Sequence, residues 1–137
     1  MDASICVYDF QKMKLLITAA QNPIWIVRKN ESGAAELVEA KPDKMPVGKH
    51  DKQDISFSSQ SFDLKKGDVV YTLTDGFSDQ FGGESQKKYM SKNLRNLLAT
   101  NAHLPMSEQK DLLAKTFFDW KGDIEQVDDV CVIGVRV

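Results

Sequence analysis

The first half of the chain consists of short apolar runs separated by polar, turn-forming residues, a pattern that predicts β-strands. Polar residues 11–12 separate the first two runs so closely that a hairpin is indicated. Residues 29–33 are rich in turn formers, and residues 41–54, with two prolines and a glycine, are predicted as a loop. The predicted strands cover residues 4–10, 14–20, 24–28, 36–39, 55–64 and 69–74.

The run 69–74 differs from the other strands because it is almost continuously β-branched or aromatic. An alternating strand buries one face, whereas a continuous apolar strand is typical of a position that is covered on both faces. We therefore predict that 69–74 is a central strand with material packed on either side of its sheet.

The second half of the chain changes to a helical period. Apolar residues recur at spacings of three and four over 85–100 and again over 105–120, which predicts two amphipathic helices. Gly122 is placed to end the second helix, and residues 129–137 are predicted as a last strand. Strands joined by short turns, followed by grouped helices, predict an α+β fold of antiparallel β-sheets with packed helices. Two helices cover only one face of a sheet, so the second face of strand 69–74 lacks an evident cover.

Composition and charge narrow the function classes. The 137 residues carry 18 basic and 20 acidic side chains, a net charge of −2, whereas a nucleic-acid-binding domain needs a clearly basic face. No apolar run approaches the roughly 18 to 20 residues of a membrane span, and the acidic start of the chain lacks the basic region of a signal peptide. The length suits one domain and equally suits a piece of a larger one.

The two cysteines indicate a reducing, cytoplasmic compartment. Cys6 and Cys131 each lie in an apolar β-like run, so we predict two buried free thiols; a disulfide between them stays open. His50 and His103 have no partner at the spacing of zinc ligands, so zinc is not predicted.

Acidic residues stand where two predicted strands end or begin. Asp75 and Asp79 follow the strand 69–74, and Asp128 and Asp129 lie at the start of the last strand. A carboxylate at the rim of an apolar strand needs water, a cation or a hydrogen-bond donor. Two interpretations stay open on the residues alone: ordinary turn chemistry, or a shared site for a hard cation such as Mg²⁺ or Mn²⁺ that would activate water.

Four blocks of the sequence resemble a known family. The run 64–83, LKKGDVVYTLTDGFSDQFGG, resembles the "pGD…l.TDG..D" block of the SpoIIE-type branch of the PP2C-like (PPM) serine/threonine phosphatases. The runs 18–23 (TAAQNP), 45–48 (MPVG) and 126–132 (QVDDVCV) resemble three further blocks in the family's order. The resemblance extends through essentially the whole chain.

This resemblance implies a cytosolic bacterial phosphatase that hydrolyses phosphoserine or phosphothreonine in a protein, with an anti-sigma-factor antagonist as one expected partner. It implies an α-β-β-α sandwich in which two Mn²⁺ or Mg²⁺ ions activate the attacking water. By position, Asp75 and Asp128 resemble the catalytic aspartates that ligate one of these metals. Asp79 resembles a residue that holds a water or a further cation, with a turn or helix cap as the alternative. Asn22, Gly76 and Asp129 resemble residues that support the site structurally.

One block of the family has no counterpart. The upstream block "D..GHG..A", which supplies the aspartate that bridges the two metals, does not occur in the sequence. We therefore predict that residues 1–137 are the C-terminal portion of such a domain, a partial sandwich that has little activity alone and dimerises through an exposed sheet. The alternative is a non-catalytic PPM-like module that binds a partner protein.

Overall fold

The computed structural model describes residues 1–49 and 55–137, so predictions made for residues 50–54, including His50, lie outside the described residues. Strands and helices follow one another in an order that separates a β-rich first half from a helical second half, as predicted. The strands are β1 Ala3–Asp9, β2 Lys14–Ala20, β3 Ile24–Lys29, β4 Ala35–Ala40, β5 Gln60–Asp63, β6 Val69–Leu73, β7 Phe81–Gly82, β8 Lys87–Lys88 and β9 Val132–Arg136. The helices are α1 Gly76–Asp79, α2 Ser91–Asn101 and α3 Met106–Lys121.

Two antiparallel sheets form the body of the fold, with a short β7–β8 ribbon beside them. The first sheet has the order β1-β2-β5, and the second has the order β4-β3-β6-β9. This arrangement confirms the α+β class with antiparallel sheets and packed helices. Among the described residues, no helix is long and apolar enough to cross a membrane.

The alternation of side chains along β3 explains the layering. Ile24 and Ile26 belong to a core between the two sheets, whereas Trp25 and Val27 belong to a core between the second sheet and the helices. Strand β6 divides in the same way, with Val70 in the first core and Tyr71 in the second. The predicted burial on both faces is therefore confirmed, and the second face of β6 is covered by the first sheet.

The uncovered surface lies instead on the outer face of the first sheet. Ile5, Val7 and Leu16 are 62%, 55% and 46% exposed, and Val7 and Leu16 are cross-strand partners. The chain thus forms three layers, sheet, sheet and helices, with an apolar sheet face turned outward.

Several local predictions differ from the structure; the last strand, for example, begins at Val132 and not at residue 129. Helix α2, predicted from residue 85, begins only at Ser91. Met90 adopts a φ of 76°, and the N–H of Tyr89 donates to the carbonyl of Gln80, so the helix cannot extend further toward the N-terminus. Strand β5 is shorter than the predicted 55–64, and α1 is a single helical turn where a plain turn was expected. Gly122 ends α3 as predicted, with its N–H donating to the carbonyl of Phe118 at 2.9 Å.

The cysteine prediction is correct in part. Cys6 and Cys131 are both free thiols, and Cys6 is half-buried. Cys131 is exposed, because it lies just outside β9, which begins at Val132 on the edge of the second sheet.

Candidate metal centre

The end of β6 and the approach to β9 are tied together by Thr74. Its N–H donates to the carbonyl of Cys131 at 3.0 Å, continuing the β6–β9 ladder by one residue. Its hydroxyl donates to the carbonyl of Asp129 at 2.8 Å and accepts from the N–H of Cys131 at 2.9 Å. The two acidic segments that the sequence singled out therefore meet at one end of the second sheet.

Gly76 brings the two segments into backbone contact. A Cβ at this position would lie 2.4 Å from the carbonyl oxygen of Asp129 and 3.3 Å from that of Asp128. Real Cβ atoms do not approach backbone this closely, so the absence of a side chain is what allows α1 to start here. Gly76 thus allows the start of α1 to pack directly against the backbone of Asp129.

The carboxylates of Asp75 and Asp128 lie on exposed segments at this junction. Within the described part of the chain, neither forms an ion pair. Asp128 Oδ1 accepts the N–H of Asp129 at 2.7 Å, which holds its side chain against its own backbone. Two unpaired carboxylates on adjoining segments are a suitable partial ligand set for a hard cation.

The donor set fits one hydrated cation better than a closed cage. Residues 1–49 and 55–137 contain no group of three or more His, Cys, Asp or Glu side chains that could hold a metal ion. Mg²⁺ keeps several of its waters in proteins and is commonly held by one or two carboxylates. Asp75 and Asp128 therefore fit the oxygen chemistry of Mn²⁺ or Mg²⁺ while leaving most coordination positions to water or to other groups.

Asp79 is placed differently from the other two aspartates. Its Oδ2 is 3.1 Å from Nζ of Lys88, and that ammonium also lies 5.9 Å from the ring centre of Phe81. The backbone N–H of Asp79 donates to the carbonyl of Asp75 at 2.9 Å, closing the turn of α1. Its carboxylate thus links α1 to the β7–β8 ribbon at the rim of the site.

Asn22 lies at the wall of a small cleft next to Thr74. Its N–H donates to the carbonyl of Ala20 at 2.9 Å, which shapes the turn after β2. The cleft has a volume of about 180 Å³ and brings together residues from four segments of the chain. Its lining is Asp2, Ala3, Ser4, Asn22, Thr72, Leu73, Thr74, Cys131 and Ile133.

Asp2 in this cleft is an acidic residue that the sequence analysis did not assign to the site. The signal was present in the predicted hairpin: β1 pairs with β2 so that Ala3 is opposite Ala20, which places Asp2 beside the turn at Asn22. A second unassigned residue, Gln80, is buried next to the segment that precedes Asp128, and no feature of its sequence context indicates that role.

Comparison with known proteins gives a family model that matches the whole chain. The family model described as Stage II sporulation protein E (SpoIIE) matches residues 1–137. No curated protein matches the sequence.

Three solved structures of bacterial proteins have the same fold. The SiaA-PP2C domain of Pseudomonas aeruginosa is 26% identical, with a TM-score of 0.87 over 99% of this chain and 51% of that one. The phosphatase domain of SpoIIE from Bacillus subtilis is 18% identical, with a TM-score of 0.65 over 100% of this chain and 56% of that one. The structure of the RsbU and RsbW domains of a Mycobacterium tuberculosis protein is 19% identical, with a TM-score of 0.72 over 98% of this chain and 35% of that one. The chain thus spans about half the length of the first two of these structures.

Proposed function

Because the chain belongs to the SpoIIE family of PP2C-type phosphatase domains, we propose that it carries the Asp75–Asp128 part of a metal-dependent protein serine/threonine phosphatase site. The observation that carries this proposal is the contact of the two acidic segments through Thr74 and Gly76.

The residues of the chain have separate tasks in this proposal. Asp75 and Asp128 hold a Mn²⁺ or Mg²⁺ ion, Gly76 lets their segments touch, and Asn22 and Asp129 support the surrounding backbone. When bound, the cation supplies the Lewis acidity that lowers the pKa of water to near neutrality and so provides a nucleophile for phosphomonoester hydrolysis. Asp79, paired with Lys88, keeps the adjoining ribbon in place and takes a water or a further cation only if that ion pair opens.

The substrate and setting follow from the family resemblance. We propose a phosphoserine or phosphothreonine side chain of a protein as substrate, in bacterial signalling, with an anti-sigma-factor antagonist as the expected partner class. The free thiols Cys6 and Cys131 support a reducing, cytoplasmic location.

We further propose that residues 1–137 correspond to the C-terminal portion of the phosphatase domain and have little activity by themselves. In support, the chain spans 51% of the SiaA-PP2C domain, and the family's bridging aspartate has no counterpart in the sequence. The uncovered apolar face of the first sheet supports self-association of this chain.

Calorimetric titration with Mn²⁺ tests the proposed metal site. We expect weak binding by the unmodified chain that is lost in Asp75→Asn and in Asp128→Asn. Asp63→Asn is the matched control, since Asp63 is an exposed aspartate at the end of β5, outside the candidate site. Binding that is unchanged in both site variants would contradict the proposed function.

Hydrolysis of p-nitrophenyl phosphate with Mn²⁺ tests the second part of the proposal separately. We expect turnover by the chain alone to be near background. Robust, Asp75-dependent turnover would support the metal site and contradict the incomplete-domain interpretation.

A non-catalytic interaction module is the second candidate function. It is favoured because residues 1–49 and 55–137 contain no group of three or more His, Cys, Asp or Glu side chains that could hold a metal ion. The two candidates differ in the calorimetric titration, because a pure interaction module needs no Mn²⁺ binding that depends on Asp75.

A further inference from the structure

The most completely buried polar side chain near the site is that of Gln80. It is 0% exposed, and it directly follows α1, the helical turn that begins next to Asp75. A buried amide is costly unless its hydrogen bonds are made, so the contacts of this side chain identify what it stabilises.

The amide of Gln80 pairs with the segment that leads to Asp128. Nε2 donates to the carbonyl of Glu125 at 3.0 Å and to that of Phe81 at 3.0 Å, while Oε1 accepts the N–H of Val127 at 3.3 Å. One side chain therefore binds both a carbonyl and an N–H of the segment 125–127, as a neighbouring strand would. This segment has no regular secondary structure, and its carbonyl and amide groups depend on such contacts for their position.

Gln80 is itself held firmly. Its backbone carbonyl accepts the indole N–H of Trp120 at 3.0 Å and the N–H of Tyr89 at 2.9 Å. On its other side, the carbonyl of Asp75 accepts the N–H of Asp79 and the hydroxyl of Ser78, both at 2.9 Å, which closes the turn between Asp75 and Gln80.

Asp128 consequently lies between two fixed points. Val127 is bound by Gln80, and Asp129 is bound by the hydroxyl of Thr74 and contacted by Gly76. The residues that hold these two points, Gln80 on one side and Thr74 and Gly76 on the other, all belong to the stretch 74–80, which also carries Asp75. A metal ligand that is held on either side by the segment of its partner ligand keeps a constant separation from it.

We infer that Gln80 is a positioning residue that sets the location of Asp128 relative to Asp75. The role toward a metal rests on the proposed function, whereas the restraint of the segment 125–129 does not. The experiment therefore has one arm that needs no metal and one that does.

Gln80→Met is the informative variant, because methionine keeps the length and fills the space but makes none of the amide hydrogen bonds. Gln109→Met is its matched control. Gln109 is 3% exposed, and its amide also makes three hydrogen bonds, donating to Ala102 and Leu104 and accepting from Tyr71. It lies on α3, and these three hydrogen-bond partners lie outside both acidic segments.

Hydrogen exchange of the full chain without metal is the first arm. We expect amides of 125–129 to exchange at least about tenfold faster in Gln80→Met, the size expected when one or two hydrogen bonds are lost, and to be unchanged in Gln109→Met. We expect both variants to lower the melting temperature, so melting alone would not distinguish them. Equal protection of 125–129 in Gln80→Met and the unmodified chain would overturn the inference.

Mn²⁺ affinity, measured by calorimetry or by the spin-resonance signal of free Mn²⁺, is the second arm. We expect about a tenfold loss in Gln80→Met, as for other residues that orient metal ligands, and no loss in Gln109→Met. An unmodified chain that binds no Mn²⁺ contradicts the proposed function, and the exchange arm still decides the role of Gln80. Binding by the unmodified chain with undiminished affinity in Gln80→Met would overturn the role toward the metal.

Val127→Pro serves if Gln80→Met does not fold. Val127 is exposed, so its side chain is not part of the core. Proline at this position removes the backbone N–H that donates to Oε1 of Gln80. We expect faster exchange at 128–129 and the same loss of Mn²⁺ affinity; unchanged values for both would overturn the inference.

Discussion

Gly76 and Asp129 touch through their backbones at the junction of the two acidic segments. A Cβ on Gly76 would be 2.4 Å from the oxygen and 2.9 Å from the carbon of the Asp129 carbonyl. Backbone cannot yield here as a flexible side chain would, since the Asp129 carbonyl also accepts the hydroxyl of Thr74. The contact therefore fixes the distance between the segments that carry Asp75 and Asp128.

Gly76→Ala is expected to push these segments apart. We expect a loss of roughly 1–3 kcal/mol in unfolding free energy, typical of overpacking, together with weaker Mn²⁺ binding. Gly33→Ala is the comparison, because Gly33 has open space around its Cβ position but a φ of 81°. It should lose only the roughly 1 kcal/mol of an unfavourable backbone conformation and leave Mn²⁺ binding unchanged. Urea unfolding and calorimetry measure both quantities; equal effects of the two variants on Mn²⁺ binding would contradict this explanation.

Local pattern was sufficient to predict most of the strands. Alternation along β2 and the continuous apolar run of β6 are properties of consecutive residues, and both strands occur within one residue of the predicted bounds. The acidic residues at the rim followed directly, because Asp75 and Asp128 flank strands that pattern identifies. The family resemblance added their proposed task.

Contacts between distant segments were not predictable in the same way. The helical period continues through Tyr89, yet its N–H pairs with the carbonyl of Gln80, and the helix begins only at Ser91. Gln80 is a polar residue whose burial depends on a segment 45 residues later in the sequence. The hairpin prediction contained the information that places Asp2 near Asn22, but only a residue-by-residue register would have extracted it.

Arg28 and Asp68 form a largely buried ion pair that lies at the opposite end of β6 from Asp75. Arg28 Nη2 is 2.8 Å from Oδ2 of Asp68, whose side chain is 2% exposed. We expect Arg28→Met to lower the unfolding free energy by about 3–5 kcal/mol, because the buried carboxylate loses its countercharge. Asp68→Asn should lose less, since the amide oxygen can still accept the N–H of Lys65. Urea unfolding measures the unfolding free energy of both variants. A loss below about 1 kcal/mol for Arg28→Met would contradict the prediction, because it would show that the buried carboxylate of Asp68 does not need Arg28 as its countercharge.

The outer face of the first sheet is expected to mediate self-association. Val7 and Leu16 form an exposed cross-strand pair, and burial of such a pair favours contact between copies. Leu16→Lys should therefore shift the chain toward monomer in light scattering coupled to size exclusion. Phe118→Lys is the control, because Phe118 is 64% exposed on α3, away from this face. A monomeric unmodified chain, or an equal effect of the two variants, would contradict association through the sheet.

Tyr71 makes stability depend on pH in the alkaline range. Burial raises its pKa to about 12, while Arg136 and the hydrogen bond to Gln109 act in the opposite direction. An unfolded tyrosine titrates near pH 10. Above that pH the unfolded chain has lost a proton that the folded chain still holds, so the unfolding free energy falls as pH rises from about 10 to about 12.

Tyr71→Phe isolates this contribution, since phenylalanine cannot titrate. We expect its unfolding free energy, followed by urea unfolding at several pH values, to fall less steeply than that of the unmodified chain between about pH 10 and about pH 12. Lysines titrate in the same range in both proteins, so the difference in slope reports the tyrosine. Burial also raises the pKa of Tyr8 to about 12, and Tyr8→Phe should therefore flatten the profile independently. Tyr71 lies in the core under the helices and Tyr8 packs against the core between the sheets, so the two effects should add. Identical pH profiles for Tyr71→Phe and the unmodified chain would contradict the prediction, because they would show that the pKa of Tyr71 is the same in the folded and unfolded states.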